Sequence, residues 1–408
     1  MTTWVLGIFL LVYLGMVLGG LPFLQLDRTG VALLGAIGMI ACEALSVEEA
    51  ARSVHLPTVL LLFAFMVLSA QMQLGGFYDA VTWRLTRLRL SPPLLLAVLM
   101  VVAGALSAVF SNDVVCLAVA PMLIAACQQR RLDPIPFALA LACSANIGSA
   151  ATLIGNPQTM LIGQALQLPF AQYIVQAALP VAVGLLLTWG LIVHSVRGRW
   201  QMEGSQNHLD EPQTTIPLNR WQTVKGLAVA LAIMLAFLFT TWPREVVALT
   251  GAGLLLMSRR FHSSRMLGLV DWELLVLFIG LFVVNAALQK TGVIAQWMAD
   301  SAHWGMALEQ PWILFGVTFA LSNIVSNVPA VMLLLPVATH PLAGPLLALV
   351  STFAGNLFIV GSIANIIVVD AARRRGVQID WRRHAAVGVP VTLATLAMVA
   401  LYLWAQMV

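Results

Sequence analysis

Apolar runs about as long as a bilayer is thick recur along this chain, and no soluble fold can bury them all. Trp4–Gly20 holds no charge, and Pro57–Gly76, Pro92–Phe110 and Ala385–Val408 are similar. Each approaches the roughly 20 residues a helix needs to cross hydrocarbon. Charged residues make up 9% of the chain and hydrophobic ones 60%, against about 25% charged in an ordinary soluble domain. The expected fold is an all-α polytopic membrane protein. The first run lacks a basic leader and a small-residue cleavage site, so a removed signal peptide is not expected.

Compared with itself, the chain shows one persistent offset. Val31-Ala-Leu-Leu-Gly-Ala36 matches Val247-Ala-Leu-Thr-Gly-Ala252, and Val59-Leu-Leu-Leu-Phe63 matches Leu274-Leu-Val-Leu-Phe278. Ser111-Asn112 matches Ser326-Asn327, and Pro121 matches Pro336. Asn146 matches Asn356, and Pro180-Val181 matches Pro390-Val391. Six matches in one order divide the chain into a first repeat (1–195), a polar linker (196–222) and a second repeat (223–408).

The first repeat has apolar segments at 4–20, 29–43, 57–74, 92–127, 137–166 and 173–195. The fourth is too long for one span, and Ser111-Asn112-Asp113 interrupts it. Arg84, Arg87 and Arg89 precede it and Arg130 and Arg131 follow it. Basic flanks lie in the cytoplasm, so this segment is expected to enter and leave on one face as a re-entrant hairpin with short arms. Each repeat then has five crossings, one hairpin and one broken helix. Five is odd, so the second copy is expected to be inverted. The resulting topology puts 18 of the 21 Lys and Arg residues inside and leaves Arg52, Arg244 and Lys290 outside. It predicts a multi-pass protein of a bacterial-type inner (plasma) membrane with both termini outside.

Non-helical backbone at bilayer depth is tolerated only where it is buried or lines a cavity. Four such places are predicted. Two are the hairpin tips, Ser111-Asn-Asp113 and Ser326-Asn-Val-Pro329. Two follow the hairpins, Ser144-Ala-Asn-Ile-Gly-Ser-Ala-Ala-Thr-Leu-Ile-Gly-Asn-Pro157 and Ala354-Gly-Asn-Leu-Phe-Ile-Val-Gly-Ser-Ile-Ala-Asn365. Small residues also let helices pack closely, with Ser and Asn bonding between them. Four paired breaks instead suggest a midplane site built from half-helix ends. The candidate solute- and ion-binding residues are Ser111, Asn112, Asp113, Asn146, Gly148, Thr152 and Asn156 in the first repeat. In the second they are Ser326, Asn327, Asn356, Ser362 and Asn365. Amides suit either partner, because they both donate and accept.

These motifs resemble the ion transporter superfamily, which includes arsenite permeases, citrate and dicarboxylate carriers and sodium/proton antiporters. The resemblance spans both repeats. It implies inverted repeats with re-entrant hairpins and often a homodimer with elevator-like movement. For arsenite carriers it also implies an arsenic ATPase subunit as partner. Dicarboxylate carriers typically have Ser-Asn-Thr at both tips, whereas this chain has Asp113 and Val328 at the third positions. A carboxylate there would repel a dicarboxylate by ~4 kcal/mol for unit charges about 4 Å apart at an effective dielectric near 20. The tips are more similar to the arsenite-permease branch, whose expected substrate is a neutral trihydroxide.

Asp113 is the one acid placed near the midplane. Intramembrane carboxylates mark function by default, so it is the candidate proton carrier; it could also cap the arm Val114–Cys127. The seven histidines fall in loops or at span ends and suit a relay poorly. Cys42, Cys116, Cys127 and Cys143 read as small buried hydrophobes, with a soft-ligand role open for Cys116 or Cys143. No metal-ligand spacing, nucleophile–base set or nucleotide loop is visible, so neither enzyme activity, a cofactor nor a nucleic-acid partner is expected. The expected function is proton-coupled efflux of arsenite or antimonite. Sodium- or proton-coupled carboxylate or anion transport and sodium/proton antiport are alternatives, and a channel would share the hairpins. The expected partners are a small inorganic solute, a coupling proton or sodium ion, and the lipid bilayer.

Overall fold

The structure, a computed structural model, describes residues 2–21, 24–201, 216–293, 296 and 307–407. Linker residues 202–215, along with His208 and His303, lie outside the described residues. The described residues are mostly α-helical, with two short 3₁₀ turns, a pair of two-residue strands, Gly20–Leu21 and Leu26–Asp27, and an isolated bridge between Leu132 and Gln201.

The first half runs α1 (Thr2–Leu18), α2 (Arg28–Ala41), α3 (Val47–Ser53), α4 (Leu56–Leu74), α5 (Phe77–Arg87), α6 (Pro92–Val109), α7 (Asn112–Gln129), α8 (Pro134–Ser149), α9 (Pro157–Ala165) and α10 (Phe170–Val196). The second half runs α11 (Arg220–Phe239), α12 (Arg244–Leu256), α13 (Ser263–Leu267), α14 (Trp272–Lys290), α15 (Pro311–Val325), α16 (Asn327–Leu334), α17 (Ala343–Ala354), α18 (Ile363–Arg374) and α19 (Trp381–Met407). Seven helices (α4, α6, α7, α10, α11, α14 and α19) are long and apolar enough to cross a membrane. The other expected crossings use shorter helices, such as the 14-residue α2 and the 16-residue α8.

Burial sorts the helices into an inner and an outer set. Every residue of α17 is buried, as is nearly all of α8 and α9. A helix apolar all round belongs in an interior. By contrast α1, α10, α11 and α19 each expose large apolar side chains, among them Trp4, Val175, Phe239 and Leu401. Lipid covers such a face at no cost.

Helices of the two halves exchange partners. α2 packs along α14 and α4 along α12; α7 packs on α18 and α16 on α9; α10 packs on α19. Polar contacts tie helix ends across the halves: Lys290 Nζ to Glu49 at 2.7 Å, Thr29 to the Glu273 carbonyl at 3.3 Å, and Arg244 to the Gly163 carbonyl at 3.3 Å. Gln128 donates to the Arg375 carbonyl at 3.1 Å and Tyr402 to the Gln176 carbonyl at 2.8 Å.

The first hairpin departs from expectation. Its arms, α6 and α7, are 18 residues each, about 27 Å at 1.5 Å per residue. Pro121 sits inside α7 without ending it. In the second half the equivalent Pro336 falls in a 3₁₀ turn, Leu335–Val337, that closes the 8-residue α16. α7 is held by α5, α8 and α18 together, and that packing offsets the bond a helical proline removes.

Candidate functional site

Both hairpins turn at a serine, and the following helix starts at an asparagine. Ser111 precedes α7 and Ser326 precedes α16, and neither side chain caps its helix. The tips differ in backbone. Ser111 is extended, whereas Ser326 has φ 78° and ψ 161°, a region that non-glycine residues occupy at a cost of order 1–3 kcal/mol. α7 begins one residue before Asp113, so Asp113 lies in the first turn and is not the N-cap residue. A negative charge there still suits the helix dipole.

The breaks are built alike. α8 stops at Ser149 and α9 starts at Pro157, where the Asn156 side chain accepts from Thr159 N at 2.9 Å. α17 stops at Ala354 and α18 starts at Ile363, where the Ser362 hydroxyl accepts from Ala364 N at 3.2 Å. Glycines let backbone approach backbone here. A Cβ on Gly148 would lie 2.3 Å from the Gly104 Cα, and one on Gly155 would lie 2.1 Å from the Ser149 carbonyl oxygen. Gly148 therefore lets α8 pack closely against α6.

Asn146, on α8, is the hub. Its Nδ2 donates to Asn356 Oδ1 at 2.9 Å and Asn365 Oδ1 at 3.2 Å. Its Oδ1 accepts from Asn112 Nδ2 at 3.0 Å and from the Ser362 hydroxyl at 2.9 Å. Two donors and two lone pairs are the full capacity of an amide. Four of the predicted residues thus meet on a fifth, joining the first tip to the second break. Asn365 continues the network by donating to the Gly355 carbonyl at 2.8 Å and the Phe358 carbonyl at 3.0 Å.

The remaining candidates surround this hub or stand apart. Asn156 donates to Ser149 Oγ at 2.8 Å, and that hydroxyl donates to the Asn146 carbonyl at 2.7 Å. Asn327 lies beside the second break, its Nδ2 3.0 Å from where a Cβ on Gly355 would be. Thr152 bonds the Ala108 carbonyl of α6. Ser111, Asp113 and Ser326 are half-buried at the tips. Cys116 lies one turn from Asp113 and Cys143 one turn from Asn146, and both are buried.

Several participants escaped the sequence reading. Thr352 accepts from Asn156 and Gln158, each at 3.3 Å, bridging the halves. Tyr13 donates to Asn285 Oδ1 at 3.0 Å. His384, discounted for its place at a span end, is buried with Nε2 3.2 Å from the Asn356 carbonyl oxygen.

Among the buried side-chain atoms that have no hydrogen-bond partner among the described residues are the acceptors Asn112 Oδ1 and Asn327 Oδ1 and the donor Asn356 Nδ2. Leaving such groups unmatched costs about 1–3 kcal/mol each. They are suited to a small polar solute that both donates and accepts. Among the described residues, none of the hydrogen bonds to Asn112, Asn146, Asn356, Ser362 or Asn365 comes from an Arg or Lys side chain.

Apolar spans and interrupted helices around a buried amide cluster suit a membrane carrier, and the matches to known proteins make this chain a secondary transporter of the ion transporter superfamily. Within that class the chain belongs to the citrate transporter family, CitMHS, which matches residues 13–354. It is 27% identical to an uncharacterized transporter of Mycobacterium tuberculosis, over 93% of this chain and 94% of that one. It is 28% identical to the silicon efflux transporter LSI3 of Oryza sativa subsp. japonica, over 92% of each. It is 24% identical to a transporter of Dictyostelium discoideum that carries the name arsB, over 91% of this chain and 86% of that one. The crystal structure of the YdaH transporter of Alcanivorax borkumensis shares the fold, with a TM-score of 0.58 at 16% identity over 100% of this chain and 98% of that one.

Proposed function

We propose that this chain is a proton-coupled carrier that exports arsenite, antimonite or a similar neutral hydroxide, with protons moving inward. The observation that carries this reading is the composition of the hub: amides and hydroxyls, with unmatched donors and acceptors, and no Arg or Lys side chain bonded to them among the described residues. Arsenous and silicic acids are uncharged polyhydroxy solutes at neutral pH, and their hydroxyls match such atoms. A citrate trianion would meet Asp113 at the first tip without a compensating cation. The names of the rice and Dictyostelium relatives fit the same solute class.

Asp113 is the proton carrier in this reading. Serving together with it as the solute and ion site are Ser111, Asn112, Asn146, Gly148, Thr152, Asn156, Ser326, Asn327, Asn356, Ser362 and Asn365. Residues 1–195 and 223–408 act as inverted repeats about the linker. Inversion is supported by the contacts between helix ends, each of which joins ends that the charge distribution assigns to one face. We further place the protein in a bacterial-type inner membrane with both termini outside, as a homodimer able to work with an ATPase subunit.

The test is uptake into everted vesicles under an imposed pH gradient, run with arsenite, silicic acid, sodium and citrate. Arsenite or silicic acid should accumulate, and Asp113→Asn should abolish accumulation. Accumulation of citrate or sodium instead would replace the substrate. Wild-type accumulation by the Asp113→Asn protein would remove Asp113 from coupling.

A further inference from the structure

The two 27-residue helices α10 and α19 occupy equivalent places in the halves, and the fourth residue of each performs the same local task. Tyr173, fourth in α10, donates its hydroxyl at 2.8 Å to the carbonyl of Ala150, where α8 breaks. His384, fourth in α19, places Nε2 3.2 Å from the carbonyl of Asn356, just after α17 breaks. Each satisfies a carbonyl that the interrupted helix has freed. Both side chains are buried, Tyr173 at 1% and His384 at 2% exposure. They differ in what remains. The phenol has one polar atom, and it is bonded. The imidazole has a second nitrogen, Nδ1, buried without a hydrogen-bond partner. Structural closure of the break needs only the donor that Tyr173 already supplies in the other half.

The bond to Asn356 also selects the tautomer. A carbonyl oxygen can only accept, so the proton of the neutral ring sits on Nε2 and Nδ1 carries a lone pair. Asn356 in turn accepts from Asn146 through Oδ1, so the imidazole is one residue removed from the hub. α19 presses close here: a Cβ on Gly388 would lie 2.5 Å from the Asn356 oxygen and 3.1 Å from His384 Nε2.

We propose that His384 is a second proton-exchanging group of the transport site. Its Nδ1 lone pair takes a proton while the site is open to the outside, turning imidazole into imidazolium, and releases it when the site opens to the cytoplasm. The Nε2 bond to Asn356 becomes charge-assisted in the protonated state, so protonation tightens the second break. The charged residues next to it in the chain are Asp380, just before α19, and Arg382 and Arg383 within it. The Asp380 carboxylate accepts from Arg383 N, and the Arg383 side chain donates to the Gln378 carbonyl. Of the helices packed on α19, α17 carries no titratable residue, α8 carries Cys143, and α10 carries Tyr173 and His194. The proposal rests on the proton-coupled reading above, with His384 acting beside Asp113.

Purified protein with ¹⁵N-labelled histidine, in lipid nanodiscs, tests it directly, the His384 signals being identified by their loss in His384→Gln. Nε2 should stay protonated throughout, while Nδ1 changes from bare to protonated between about pH 7 and 4. An Nδ1 that stays bare across that range overturns the proposal, whatever the substrate proves to be. Glutamine keeps an N–H donor but cannot titrate. Exchange of labelled arsenite in proteoliposomes, with no gradient imposed, should therefore vary about threefold or more over that range for wild type and stay flat for His384→Gln. A wild-type pH profile in His384→Gln also overturns it. Failure of wild type to carry arsenite counts against the proposed substrate and leaves the imidazole spectrum to decide His384. Retained coupling in Asp113→Asn alongside a titrating His384 counts against Asp113 alone.

Discussion

Asn146 spends its whole hydrogen-bonding capacity on four partners from three separate parts of the chain. Truncation is therefore unequal across the cluster. Asn146→Ala should orphan several buried groups, at about 1–3 kcal/mol each, and lower unfolding stability in detergent while abolishing transport. Asn112→Ala removes one bond and one unmatched acceptor, so it should leave the protein folded and weaken solute exchange by about tenfold or more, equivalent to ~1.4 kcal/mol. Equal loss of stability in the two variants, measured by thermal unfolding, would contradict the hub. The individual amides were legible as polar residues inside apolar runs. Their bonding was not, because Asn146 meets Asn356 and Asn365 across separations of 210 and 219 residues, and no local pattern carries such a contact. His384 was missed for a related reason: its sequence neighbours Arg382 and Arg383 mark a span end, while the break after α17 reaches up to meet it.

The two hairpins share a Ser-Asn tip and differ in nearly everything else. Ser326 holds a positive φ that glycine adopts freely,. Ser326→Gly should raise unfolding stability by roughly 1 kcal/mol and, if the strained turn is needed for solute binding, slow exchange at the same time. A variant that is less stable than wild type would show that the serine hydroxyl, not the backbone, governs this tip. Gly148→Ala meets the opposite constraint, since its Cβ would run into the Gly104 backbone. It should force α8 off α6 and cost about 1–3 kcal/mol, with thermal unfolding as the readout. The hairpins and breaks were legible from Ser, Asn, Gly and Pro inside apolar segments. Arm length was not, because Pro121 and Pro336 look alike in sequence and only the packing around α7 lets a helix continue through the first of them.

Over the whole molecule, 18 basic residues segregate from the other three in the predicted topology. Cysteines introduced near Arg130 and Arg375 should react only from the cytoplasmic side, and one near Thr291 only from outside. Membrane-impermeant thiol reagents on whole cells and everted vesicles measure this, in a background lacking the four native cysteines. Labelling of all three from one side would sink the inverted arrangement. The helical class was legible from hydropathy. The pairing of α2 with α14 and of α4 with α12 was not, since apolar faces are interchangeable in a sequence.

That exchange of partners bears on how the protein is made. When α10 leaves the ribosome, α2 and α4 are in the bilayer but α14 and α12 do not yet exist. Synthesis of the second half takes on the order of 10–40 s at 5–20 residues per second. Through that interval the first half holds its polar breaks in lipid without the surfaces that cover them, and depends on the insertion machinery or nearby lipid to shield them. Completion is then a docking of two membrane-embedded halves, so chains cut in the linker should regain activity when both pieces are synthesised together and remain protease-prone when either is made alone.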